Sequence, residues 1–132
     1  MALTVGMRGE ASLVVGEAQT AAAFGAGGVL VLGTPLMMGL MENAAWQLVQ
    51  PELPEGESTV GTLVNVRHLA ATPMGGHVVA TAELIEIDDR RLVFRVSARD
   101  DTQLIGEGTH ERFRIVLERF LARLPKSPEA DN

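Results

Sequence analysis

The sequence predicts an α+β domain in which one long central helix is wrapped by a curved antiparallel β-sheet. Two patterns and one length carry that expectation. The segment TPLMMGLMENAAWQLV, starting at Thr34, is apolar on nearly every side, unlike a surface helix with one wet face. From Val60 onward the apolar residues recur with a period of two, as strands require. The 132 residues suffice for one core and are too few for two.

The elements follow in chain order. An alternating piece from Glu10 to Val15 is expected to form the first strand. Residues 21–28, AAAFGAGG, make a loop or short helix of small residues. Thr34 is a good N-cap for the long helix, and Pro35 suits its first position, where a missing N–H costs nothing. The helix should reach about Val49, ahead of Pro51, with a loop over residues 51–58. Thr62, Val64, Val66 and His68 then share one strand face, and Leu63, Asn65, Arg67 and Leu69 the other. TPMGG at 72–76 turns the chain into a strand over residues 78–87, and DDRR at 88–91 is a hairpin turn. Leu92, Phe94, Val96 and Ala98 mark the buried face of the next strand. Asp100 and Asp101 lead into the last one, from Gln103 to about Leu117, which Gly106 and Gly108 are expected to bend or bulge. Residues 125–132 read as a solvated tail, leaving a single domain over 1–124. A long helix enclosed by a curled antiparallel sheet, in a chain of this length, is the hot-dog architecture.

Composition removes several function classes. The net charge of −6 and pI near 5.0 argue against a nucleic-acid binder, which needs clustered Lys and Arg. With no Cys there is no disulfide, thiolate nucleophile or Cys-ligated zinc. The single Lys, Lys126, stands near the C-terminus, far from any Schiff-base or P-loop setting. Residues 18–41 carry no charge over roughly the length of a membrane span. Gly25, Gly27, Gly28, Gly33, Gly39 and Thr34-Pro35 interrupt that stretch, however, and its flanks are acidic. No secretory signal pattern opens the chain. A soluble, cytoplasmic protein is expected, with no metal and no cofactor, because HxH, HExxH, GxSxG, P-loop and dinucleotide patterns are all absent.

Catalysis is thereby left to carboxylates, hydroxyls, Arg and His. Glu42 stands out, since a carboxylate on a buried helix costs several kcal/mol unless paired or partly solvated. It either meets an Arg of the sheet and orients the helix, or serves as a general base or nucleophile. Thr34 is a structural cap, or part of a helix N-terminus whose N–H groups suit a carbonyl gaining negative charge. His68 is a hydrogen-bonded core residue or a functional one. His110 and Arg112, on one face of the last strand, read as a solvated ladder, and His77 as simply exposed.

The segments TPLMMGLMENA, GTLVNVRHLAATPMG and IGEGTHERFRIVLERF together resemble the fluoroacetyl-CoA thioesterase-like family of hot-dog proteins. The similarity covers about residues 30–120, with the motifs in the same order. It implies a catalytic group of Thr34, Glu42 and His68, an oxyanion-binding backbone N–H at Gly61, and Arg112 near the acyl-CoA site. One departure stands out. Where the fluoroacetyl-specific member carries aromatic lid residues, this chain has FGAGG with only Phe24. The implied activity is hydrolysis of a small acyl-CoA to carboxylate and free CoA, in a homodimer whose site mixes both chains. Glu42 would act on a thioester held by Gly61 and Thr34 of the partner, with His68 orienting Glu42 or assisting the thiolate. Arg112, Arg67 and Arg114 would receive the CoA phosphates. The rival readings are a non-catalytic acyl-CoA binding module and a hot-dog hydratase.

Overall fold

Helix starts and stops are set locally. Thr20 accepts the Ala23 N–H on its hydroxyl at 3.2 Å, and Gly25, at φ 86°, closes the single turn α1 (Ala21–Phe24). The small-residue segment is therefore helical at its start and irregular beyond. Bridges from Thr20 to Leu32 and from Val31 to Pro73 tie it down. The long helix α2 (Thr34–Val49) follows Gly33, and a short 3-10 turn over Gln50–Glu52 ends it at Pro51. The structure is a computed structural model and describes residues 3–126.

Five antiparallel strands form one sheet: β1 (Arg8–Val14), β2 (Glu57–His68), β3 (His77–Asp88), β4 (Arg91–Arg99) and β5 (Leu104–Val116). Their order is β1-β3-β4-β5-β2, so β1 and β2 are the two edges. The β3–β4 hairpin turns through Asp89 at φ 56°, a left-handed position that Asp tolerates better than most side chains. The helix lies across one face and touches β1, β2, β3 and β4. Met37, Met41, Ala44, Ala45 and Val49 of α2 are fully buried against Val78, Ala80, Ala82, Leu84, Leu92, Phe94, Val96 and Ala98. Each large member of that set contributes roughly 1.5–3 kcal/mol by leaving water. Gly9 lets β1 approach the helix, since a Cβ there would lie 3.0 Å from the Leu48 Cβ.

Several sequence expectations are corrected. The helix is covered on one side only: Thr34, Gly39, Asn43, Trp46 and Gln47 remain exposed. Thr34 does not cap it; Gly33 holds the N-cap position, and no side chain satisfies the first turn. The last strand ends at Val116, and Leu117–Ala122 turn into a short helix, α3, which alternation alone did not foretell. Of the two glycines expected to distort β5, Gly106 adjoins the irregularity, because Ile105 is the unpaired residue between the partners of Ala98 and Arg99. Gly108 instead serves close packing: a Cβ there would collide with the Asn65 carbonyl and lie 2.6 Å from the Val66 Cα. Of the expected tail, Pro125 and Lys126 are exposed, and residues 127–132 lie outside the described residues.

The Gly108 contact is with backbone, which cannot swing aside as a flexible side chain would. Gly108→Ala should therefore cost about 1–3 kcal/mol and lower the thermal midpoint by several degrees. Thermal unfolding followed by circular dichroism checks this; an unchanged midpoint would show that β2 and β5 can separate freely there.

Candidate active site

A β-bulge in β2 determines which side chains meet. Gly61 pairs with Arg112 and Leu63 with Glu111, so Thr62 is the extra residue. Before the bulge, Thr59 and Gly61 face the helix; after it, Val66 packs on the core and His68 reaches the start of α2. Thr62 thus leaves the face it was expected to share with Val64, Val66 and His68.

Two groups of polar residues result. At the helix start, the Thr34 Oγ1 lies 2.7 Å from the His68 Nδ1. The hydroxyl expected to cap the helix meets the imidazole instead. The other ring nitrogen, Nε2 of His68, is buried, and the ring also interacts with the Ala70 backbone. A cavity of about 390 Å³ opens beside the pair, walled by Ala21, Ala26, Val29 and Leu32. Small residues of the α1 segment leave that space open.

The second group lies two turns along α2. Glu42 sits directly over Gly61, where any Cβ would clash with its Oε2. Its side chain is 42% exposed, so it is not the deeply buried carboxylate the helix pattern implied. Arg112 faces it at 3.5 Å, a contact longer than an ordinary charge-assisted hydrogen bond. Arg112 itself is buried, donating from Nε to the Thr59 hydroxyl at 2.8 Å and from Nη2 to the Thr59 carbonyl at 3.1 Å. His110 is fully buried, stacked on Phe94 with ring centroids 5.9 Å apart. The solvated ladder expected for His110 and Arg112 is therefore corrected. The polar face of β5 turns inward because Thr59 and Glu42 supply partners there, while Phe113 is exposed.

Of the five residues expected at the site, Glu42, Gly61 and Arg112 come together, and Thr34 and His68 form a separate pair. His68 contacts Thr34 rather than orienting Glu42 within the chain. Gly61 lies beneath the Glu42 of its own chain. As phosphate receivers, Arg112 is buried and engaged and Arg114 is ion-paired with Glu57 at 2.8 Å; Arg67 is exposed. His77 is exposed as expected. Sequence reading missed Thr59, although its place two residues before Gly61 on one strand face was a usable signal. Among the described residues no three His, Asp or Glu side chains could hold a metal, and no helix is long and apolar enough to cross a membrane.

Similarity to known proteins decides the family. Residues 15–118 match the fluoroacetyl-CoA-specific thioesterase family. The fluoroacetyl-CoA thioesterase of Streptantibioticus cattleyicolor is 47% identical over 100 residues, 76% of this chain and 72% of that protein. The chain belongs to the fluoroacetyl-CoA-specific thioesterase family. A solved fluoroacetyl-CoA thioesterase from this family superposes with a TM-score of 0.88 at 40% identity, covering 95% of this chain and 100% of that one. A variant of that enzyme in complex with fluoroacetate and CoA gives a TM-score of 0.85 at 42% identity, covering 89% and 99%. The hot-dog fold is thus shared with thioesterases of this family.

Burial pushes both the His68 and His110 imidazoles below their ordinary range, and Arg112 pushes His110 the same way. Folded His therefore binds fewer protons than unfolded His. Its stabilising effect is complete above the unfolded value, about 6.5, and is lost as pH falls below it. We expect the thermal midpoint to drop between about pH 7 and pH 5, before carboxylates titrating near 4 contribute. A midpoint constant over that window would contradict neutral buried imidazoles.

Proposed function

We propose that the protein hydrolyses a small acyl-CoA thioester to a carboxylate and free CoA. The observation that carries this is the placement of Glu42 over Gly61 beside Arg112, in a member of a thioesterase family. Glu42 either removes a proton from water attacking the thioester carbonyl or attacks that carbonyl itself to give a mixed anhydride that water then opens. In both routes the C–S bond breaks and CoA leaves as a thiolate, which needs little protonation at a thiol pKa near 8.5. The Gly61 N–H and the Thr34 hydroxyl hold the developing oxyanion. His68 lines the same cavity as Thr34, where it can assist the departing thiolate.

We further infer a homodimer, with a single hot-dog domain over residues 1–124 in each chain, located in the cytoplasm. Thr34 and Glu42 are eight residues apart on one helix, about 12 Å of axial rise, too far to touch one carbonyl. Two helices antiparallel across a two-fold axis would bring Thr34 of one chain to the Glu42 and Gly61 of the other. The open edge of β2 and the uncovered side of α2 with Trp46 support such pairing.

Thiol release from a panel of short, branched and aromatic acyl-CoAs tests the activity; no release from any of them would favour a binding module. Glu42→Gln should lower hydrolysis at least ~100-fold, and a near-normal rate would remove Glu42 from the chemistry. The Gly- and Ala-rich lid has few bulky groups to grip a fluoromethyl carbon. Fluoroacetyl-CoA and acetyl-CoA should therefore be hydrolysed with similar kcat/KM, and a preference of several orders of magnitude would contradict this. For the shared site, Thr34→Ala and Glu42→Gln chains are co-expressed and the mixed dimer purified. One doubly damaged site and one intact site form, returning about half of wild-type activity. A mixed dimer as inactive as its parents would put the chemistry within single chains.

A further inference from the structure

His110 is the one fully buried imidazole, and the hydrolysis above gives it no task. Its hydrogen bonds determine its protonation. Nδ1 lies 2.7 Å from the Leu63 carbonyl, which can only accept, so Nδ1 carries the proton. Nε2 lies 3.2 Å from the Arg112 Nη1, which can only donate, so Nε2 offers its lone pair. The ring is thus neutral and fixed as one tautomer. A protonated ring would set an N–H against the guanidinium, cation against cation.

Arg112 is held at three points by this arrangement. Thr59 takes Nε and Nη2, His110 takes Nη1, and Nη1 is the nitrogen that faces Glu42. The Phe94 ring stacks on His110, and Gly61 leaves room for the imidazole, since a Cβ there would lie 3.3 Å from the His110 Cε1. Leu63 presents its carbonyl where the β2 register resumes after the bulge.

We propose that His110 is a positioning residue: as a neutral acceptor it aims Nη1 of Arg112 at Glu42 and so sets the carboxylate over Gly61. Thr59 fixes the other side of the same guanidinium. Neither residue touches substrate; both act through Arg112. The role in turnover rests on the thioesterase reading, whereas the tautomer does not.

Long-range proton–nitrogen spectra of uniformly ¹⁵N-labelled protein at pH 7 report which nitrogens of each imidazole are protonated. Protonated Nδ1 with bare Nε2 at His110 is expected; the opposite tautomer or a doubly protonated ring overturns the proposal. In kinetics with an acyl-CoA that the wild type hydrolyses, His110→Phe keeps the stacking but removes the acceptor. Its kcat should fall at least ~10-fold, with KM within about two-fold, since the carboxylate is misaimed rather than the substrate lost. His110→Gln, whose amide oxygen can still accept from Arg112, should recover most of kcat. A His110→Phe enzyme with undiminished kcat, or His110→Gln as slow as a folded His110→Phe, overturns the role. Should His110→Phe fail to fold, the tautomer and the kcat of His110→Gln decide. A wild type inactive on every acyl-CoA would sink the thioesterase reading and leave the tautomer measurement standing.

Discussion

A single extra residue in an edge strand holds this site together. Gly61 and His68 are seven positions apart, an odd number, so an unbroken strand would point them to opposite faces of the sheet. The bulge at Thr62 resets the alternation, and both turn toward the helix. Without it, either the Thr34–His68 pair or the Glu42–Gly61 apposition would be lost. Bulges commonly re-aim side chains beside active sites, at the cost of a locally broken ladder. Just past the break, the Leu63 carbonyl meets the His110 Nδ1.

The charge buried near that bulge places the second demand on the fold. A guanidinium removed from water is destabilising unless its donors are satisfied. Arg112 meets this with two contacts to Thr59, one to His110 and one to Glu42. Burial still disfavours its charged form, with Glu42 opposing that effect. The pairing is asymmetric, because Arg112 is buried while Glu42 is partly open to solvent. That asymmetry suits a carboxylate that must meet water or a thioester: its partner stays fixed while it remains accessible.

The two sheet edges differ in a way that bears on assembly. β1 shows Arg8, Glu10, Ser12 and Val14 to solvent, a mostly polar set. β2 shows Leu63, and Leu69 follows just beyond it, while the uncovered side of α2 adds Trp46. An apolar helix half-covered by its own sheet and an open β2 edge on the same chain support the dimer proposed above. They also match the distance problem, since one chain separates Thr34 from Glu42 by two helical turns.

Much of the fold was legible in local pattern. The Thr34–Val49 helix, the hairpin at Asp88–Arg91 and the alternation of β3 and β4 follow from a proline in the first helical turn, turn chemistry and periodicity, all of which act over a few residues. Glu42 was conspicuous for the same reason, as one carboxylate in an apolar helix. The facing of His110 and Arg112 was not legible: Thr109, His110, Glu111 and Arg112 are polar in succession, so both faces of the strand read alike and nothing local says which is inside. Only the tertiary arrangement decided that, because the polar face turns inward where Thr59 and Glu42, 53 and 70 residues away, provide its hydrogen bonds. The bulge at Thr62 was hidden likewise, since it exists only as a register between β2 and β5. The sequence by itself determined the elements and the unusual carboxylate; long-range pairing decided which polar side chains face it, because burying them is tolerable only with partners that no local pattern shows.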